Sequence, residues 1–196
     1  MIICEPAPAY GKYNYSIPEY LEMEDAATEK HEYYRGEVFA MSGGTVSHSA
    51  IGGNIYHSLR GKLNGTPCKP FNSDMRIHIE KNTLFTYPDV SVICGNILTL
   101  NDDNQNVLNP TVIFEVLSPT TKRYDLVEKF RLYQDIASLN EYVIVDSERP
   151  DVRIWNNTTS NGWLLTVYQN IEESIELQSL NISMTLKEIY ESIFDA

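Results

Sequence analysis

The chain has 196 residues, 42% of them hydrophobic and 21% charged, with a formal charge of −12. That length suits one domain with a sizeable core, and no apolar run approaches the ~18 residues of a membrane-spanning helix. The charge excludes a protein that coats nucleic acid through many lysine–phosphate contacts, although residues 1–37 hold eight acids and three bases, residues 171–196 six and one, and residues 38–130 eight of each. The acidity therefore belongs mainly to the ends. No basic stretch followed by an apolar one opens the chain, so no secretory leader is expected. Cys4, Cys68 and Cys94 form no zinc spacing and no disulfide framework, which makes a reducing cytoplasm the expected location.

Residues 1–15, with Pro6, Pro8 and Gly11, read as an irregular arm, and residues 16–196 as a single domain. Ser16-Ile17-Pro18-Glu19 is a capping box with an early proline, opening a short helix to about Ala27. Glu32 to Met41 reads as a hairpin turning at Arg35-Gly36. Ser47 to Asn64 carries Ile51, Ile55, Leu59 and Leu63 at i+4 steps, the stripe of an amphipathic helix. Asp74 to Glu80 alternates strictly; Met75, Ile77 and Ile79 face a core, and Asp74, Arg76, His78 and Glu80 could line a cleft but are expected to face water, as alternating polar residues usually do. Tyr87 to Cys94 is a strand with Asp89 at its mouth. A polar loop, Asn96 to Asn109, leads to Val112-Ile113-Phe114-Glu115-Val116-Leu117, the most apolar stretch and a strand buried on both faces.

A helix is expected over Asp125 to Ser138 and a strand over Glu141 to Val145, which makes the two flanking strands parallel neighbours in a βαβ unit. A second hairpin pairs residues 151–155 with 163–168, and Thr185-Leu186-Lys187-Glu188 caps a last helix. The order is that of a mixed α/β domain.

Glu115 is the residue hardest to explain structurally. An ionised carboxylate in so apolar a strand costs several kcal/mol unless a cation, a metal or a proton compensates it. Asp89 begins the strand expected beside it. Two acids on neighbouring core strands can hold a hard divalent cation through oxygen. Pro88-Asp89 followed by Glu115-Val116-Leu117 is similar to the PD-(D/E)XK nuclease signature, in which a lysine stands two residues after the second acid. Here that position is Leu117.

The wider pattern is more specific. Glu32-Tyr33-Tyr34-Arg35-Gly36-Glu37-Val38, Ser47-His48, Tyr87-Pro88-Asp89-Val90-Ser91-Val92, Phe114-Glu115-Val116-Leu117-Ser118-Pro119, then Asp125, Lys129 and Tyr133, then Glu141 to Asp146, together resemble the bacterial family called domain of unknown function 820. The resemblance covers about residues 16–156. It implies an α/β, restriction-endonuclease-like fold: a mixed central sheet flanked by helices, with hairpin extensions. It further implies a metal-dependent endonuclease acting on nucleic acid, with DNA the expected substrate.

In that reading Asp89 and Glu115 bind Mg²⁺ or Mn²⁺. Lys129 supplies the displaced lysine, and His48 or Glu37 adds a ligand or positions water. The competing reading of Lys129 is a surface ion pair with Asp125, four residues earlier. Cutting both strands of a duplex implies a homodimer. The alternative function is a nuclease-like binding or interaction module that no longer cuts, favoured by Leu117 and the acidic total. Hydrolysis of a glycoside by two carboxylates is the third, less well suited to acids on neighbouring strands.

Overall fold

The computed structural model describes residues 14–41, 43–118, 124–158 and 162–194, with only the backbone of 124–126. Most of the N-terminal arm, Ser42, Lys122 and the Asp125 side chain lie outside the described residues. The chain runs α1 (Ile17–Ala26), β1 (His31–Tyr34), β2 (Glu37–Ala40), α2 (Val46–Lys62), β3 (Cys68–Asn72), β4 (Arg76–Ile79), β5 (Leu84–Thr86), β6 (Val90–Cys94), β7 (Asn106–Val107) and β8 (Val112–Leu117). A π-helical segment (Tyr124–Lys129) runs into α3 (Phe130–Tyr133), followed by β9 (Glu141–Asp146), β10 (Val152–Thr158), β11 (Gly162–Tyr168), β12 (Ser174–Leu177), β13 (Ile182–Thr185) and α4 (Leu186–Ile189).

The capping boxes form as their sequences require. Ser16 and Glu19 cap α1, and Thr185 and Glu188 cap α4. The β1–β2 turn uses Arg35 at φ +49° and Gly36 at φ +91°, the double positive φ that suits a two-residue hairpin.

Six strands make the main sheet in the order β11-β10-β9-β8-β6-β3, and five make a smaller one, β2-β1-β5-β4-β7. β8 and β9 are parallel neighbours, as the βαβ reading requires. β8 is central and buried along its whole length. Its even-numbered residues, Val112, Phe114 and Val116, pack with Ile51, Ile55 and Leu59 of α2 and with Leu186 and Ile189 of α4. On its other face, Ile113 and Leu117 pack against Leu132 and Tyr133 of α3 and against Ile77, Ile79 and Leu84 of the smaller sheet. By period two Glu115 belongs to this second face. It therefore points into the layer between the two sheets.

Three expectations are corrected. First, β4 does not show its polar side to water: Arg76 and His78 are each 4% exposed. Tyr20 of α1, Tyr33 and Phe85 form a third apolar cluster on that side, and the His78 ring stacks on Phe85 at 3.8 Å. Second, the helix after β8 is not α-helical from 125 to 138. It is π-helical through Lys129 and ends at Tyr133, with turns to Leu139. Third, Cys68 and Cys94, 26 residues apart, form a disulfide. The two stand opposite one another in the β3–β6 ladder, a proximity that no linear spacing displays.

Candidate active site

Asp89 precedes β6, which pairs antiparallel with β8 through Val90↔Phe114, Ser91↔Ile113 and Val92↔Val112. Continued by one step, this register sets Asp89 opposite Glu115. Directly opposed residues of an antiparallel pair project to the same side of the sheet. Asp89 Oδ2 accepts the Val116 amide at 2.7 Å, so β8 itself fixes the carboxylate at the strand mouth.

Glu115 meets its compensating cation. Lys129 Nζ lies 3.1 Å from Glu115 Oε1 and 3.1 Å from Glu32 Oε1, and the three side chains are 7%, 5% and 11% exposed respectively. The π-helical segment ends on Lys129; such segments occur often at functional sites. Tyr133, one turn later, donates its hydroxyl to Glu115 Oε1 at 2.7 Å. Burial, then the Glu115 charge, push the Tyr133 phenol well above its ordinary range. It remains a neutral donor at any physiological pH. Across the cluster, the Thr86 hydroxyl donates to Glu32. The lysine is thus buried between two carboxylates and is not a surface partner of its own helix.

His48 enters from α2. Thr45 caps that helix by accepting the His48 amide, and the His48 Nε2 lies 3.3 Å from Asp89 Oδ2. A Cβ on Gly44 would come 2.6 Å from His48 Nδ1. Glycine there leaves the ring its place beside Asp89.

Of the five residues singled out from sequence, the structure brings together two pairs, Asp89 with His48 and Glu115 with Lys129. Glu37 does not join them. It is exposed at the start of β2, where it pairs with Tyr34 at the turn end of the hairpin. The acid that this hairpin contributes is Glu32. Its signal was present: alternation in His31-Glu32-Tyr33-Tyr34 puts Glu32 on the face of Tyr34, an acid between aromatic residues in a short strand.

Glu32 and Glu115 both meet Lys129, and half-buried Asp89 stands at the strand mouth beside His48. Carboxylate oxygens are the donors that hard divalent cations take. Among the described residues no three His, Cys, Asp or Glu side chains close on one point.

A second buried ionic group lies on the opposite side of the smaller sheet. Arg76 donates to Asn106 at 2.5 Å, Tyr87 at 3.3 Å and Gln105 at 3.1 Å. Tyr87 donates to Glu24 at 2.7 Å, and Glu24 also accepts the His31 amide at 2.9 Å. A cleft of about 340 Å³ opens here, lined by Glu24, Asp25, Arg76 and Tyr87 among others.

A mixed central sheet with α2 and α4 on one face, and a strand-borne acid meeting a helix-borne lysine on the other, fit the restriction-endonuclease-like α/β class. The sequence profile of the Uma2 family, described as "Putative restriction endonuclease", matches residues 17–187. The uncharacterized Synechocystis sp. protein slr1290 is 34% identical over 193 residues, covering 98% of this chain and 99% of its own length. A second Synechocystis protein, sll1609, is 32% identical over 164 residues, covering 84% of this chain and 93% of its own. The chain belongs to the Uma2 family. The fold is also similar to a crystal structure from Anabaena variabilis, described as a "putative nuclease belonging to DUF820". The TM-score is 0.72 at 16% identity, with 90% of this chain and 97% of that chain covered.

Proposed function

We propose that the chain is a Mg²⁺- or Mn²⁺-dependent endonuclease hydrolysing phosphodiester bonds in nucleic acid, with DNA as substrate. The observation that carries the reading is the buried Glu32–Lys129–Glu115 cluster, with Asp89 in the register position opposite Glu115. Asp89 and Glu115 would hold the ion, with Glu32 beside them. A divalent ion in that position supplies charge neutralisation for the reacting phosphate and eases deprotonation of water.

The protein's own groups do the rest. The Lys129 ammonium, fixed between Glu32 and Glu115, offers a hydrogen-bond donor and a positive charge toward a non-bridging phosphate oxygen or the attacking water. Tyr133 holds Glu115 in one rotamer. The Val116 amide and His48 do the same for Asp89. Because Lys129 does not depend on the strand position two residues after Glu115, Leu117 can remain a core residue at 3% exposure.

The same proposal includes a homodimer, one active site for each strand of a duplex, and a cytoplasmic place of action. In a reducing cytoplasm the Cys68–Cys94 pair would be held as thiols, which a free-thiol count on protein prepared under reducing and oxidising conditions would test. The competing reading is a binding module that has lost cleavage, favoured by an ammonium that already satisfies two of the acids.

Supercoiled plasmid incubated with Mn²⁺ separates the two. Nicking by wild type, lost in Glu115→Gln and in Lys129→Met, is the expected result. Wild type that binds Mn²⁺ calorimetrically but leaves both plasmid and single-stranded substrates intact supports the binding module. Mn²⁺ binding unchanged in Glu115→Gln removes the metal site.

A further inference from the structure

A sheet edge is a row of unpaired backbone donors and acceptors, and soluble proteins guard such edges with charge, proline or brevity. Nearly every edge here follows that rule. β3, at one end of the main sheet, carries Lys69 and Pro70. In the smaller sheet β2 has four residues and starts with exposed Glu37, and β7 has two residues. The separate β12–β13 hairpin has strands of four residues each.

β11 breaks the rule. It is the other end strand of the main sheet, and its seven residues, Gly162-Trp163-Leu164-Leu165-Thr166-Val167-Tyr168, include neither a charge nor a proline. Leu164, Leu165 and Val167 are 61%, 44% and 45% exposed, three of the eight large apolar side chains left open among the described residues. Successive side chains of a strand point to opposite faces. Leu164 therefore lies on one face of the sheet, and Leu165 and Val167 lie on the other. A partner docking on one face would cover only part of this set. A strand added to the edge covers both.

We propose that β11 pairs with β11 of a second copy of this chain, joining two six-stranded sheets across a two-fold axis. Charge selects this occupant. Two chains of −12 repel over most of their surfaces, but residues 154–171 contain no charged residue at all. A nucleic acid would find no basic group along that strand, and an edge of this kind is self-complementary only when it runs antiparallel to itself. A two-fold axis through Leu165 sets Trp163 opposite Val167 of the partner subunit, an aromatic and β-branched pair that stabilises cross-strand contacts. A seven-residue edge is at the small end of interfaces, so association in the micromolar range is expected. The inference rests on the homodimer in the proposed function and not on cleavage.

Sedimentation velocity of the full chain, without metal or nucleic acid, tests it from about 1 to 200 µM. Wild type should move from 22.4 kDa toward twice that mass, and the double variant Leu165→Lys, Val167→Lys should raise the dimer dissociation constant at least 100-fold with an unchanged far-UV spectrum. Should the variant misfold, hydrogen exchange of wild type supplies the answer: β11 amides should gain protection with concentration. A wild-type monomer at 200 µM overturns the proposal. So does a dimer whose β11 amides exchange as fast as in the monomer, because the second copy then sits elsewhere. Protection of β11 only when DNA is added would assign the edge to nucleic acid instead. None of these results depends on whether the plasmid is cut.

Discussion

The smaller sheet carries a buried ionic group on each face, and the two groups differ in balance. On the inner face one lysine meets Glu32 and Glu115, with Asp89 opposite Glu115. On the outer face Arg76 stands against Glu24 through Tyr87, donates to the neutral amides of Asn106 and Gln105, and lies 3.8 Å from exposed Asp25. The strands that build one group build the other: His31 and Glu32 are consecutive, and so are Thr86 and Tyr87. The outer group closes on itself, one cation to one buried acid, as a structural group must when charges leave water. The inner group instead sets two carboxylates, Glu32 and Glu115, on one lysine. A cleft of about 340 Å³ lies over the outer group, whereas the proposed chemistry belongs to the other face.

The sharpest test compares the two cations. Lys129→Met and Arg76→Met each leave a buried carboxylate without its counter-charge and should each cost about 3–5 kcal/mol in the metal-free protein. For a chain of this size that is a fall in melting temperature of roughly 10 °C. Millimolar Mn²⁺ should then restore much of the loss in Lys129→Met and little in Arg76→Met. Equal recovery in both variants would remove the distinction between the two ionic groups.

Next in size is the response of wild type itself. An ion that binds only the folded state stabilises it by about 2.7 kcal/mol at a hundredfold excess over its dissociation constant. Melting in the presence of Mn²⁺ should rise by several degrees, and Glu115→Gln should abolish the rise. A wild-type melting curve indifferent to Mn²⁺ would count against a metal held by Asp89 and Glu115.

Smaller again is Tyr133→Phe. It deletes one hydrogen bond to a carboxylate, worth about 1.5–3 kcal/mol, and leaves Lys129 in place. Chemical denaturation should show that loss with the Mn²⁺ response retained. A variant as stable as wild type would make the tyrosine a packing residue only.

The smallest effect lies outside both groups. Burial works against ionisation of Glu188, but hydrogen bonds from Lys62 and Thr185 hold its carboxyl down to about 2, against an ordinary 4.5. A folded value below the unfolded one contributes stability above the unfolded value, and that contribution disappears as pH falls from about 4.5 toward 2. Glu141 has the opposite sign: burial raises it despite donors from Ser179 and Gln178. Its contribution is present below its unfolded value and is lost as pH rises through the folded one. Glu188→Gln should flatten the acid limb of melting temperature against pH, and superimposable limbs for variant and wild type would refute the assignment.

Much of the inner group could be read from the sequence because its evidence is local. Five apolar residues around Glu115 define a doubly buried strand, and the strand–helix–strand order brings Lys129 back across it. Asp89 and Glu115 each lie within or beside a strand whose apolar run is unmistakable. Glu32 was passed over in favour of Glu37 because its neighbour in space is Thr86 of β5, and a pairing across some fifty residues leaves no trace in either segment. The outer group was misread for a related reason. Alternation in β4 tells which side chains share a face, but not that α1 will cover the polar one. The π-helical turn and the cysteine pair were equally hidden, one because side-chain periodicity does not separate π from α over six residues, the other because strand register is not written in spacing.

The Cys68–Cys94 link has a further consequence. It closes a covalent ring around the segment that contributes Arg76 and Thr86, with Asp89 near its end. A protease that cuts once between those cysteines opens the ring but releases nothing. Under non-reducing electrophoresis the nicked chain keeps its full mass, and with reductant it falls into two fragments. While the link is oxidised, a surface nick in that segment leaves the residues of both ionic groups tethered in one molecule.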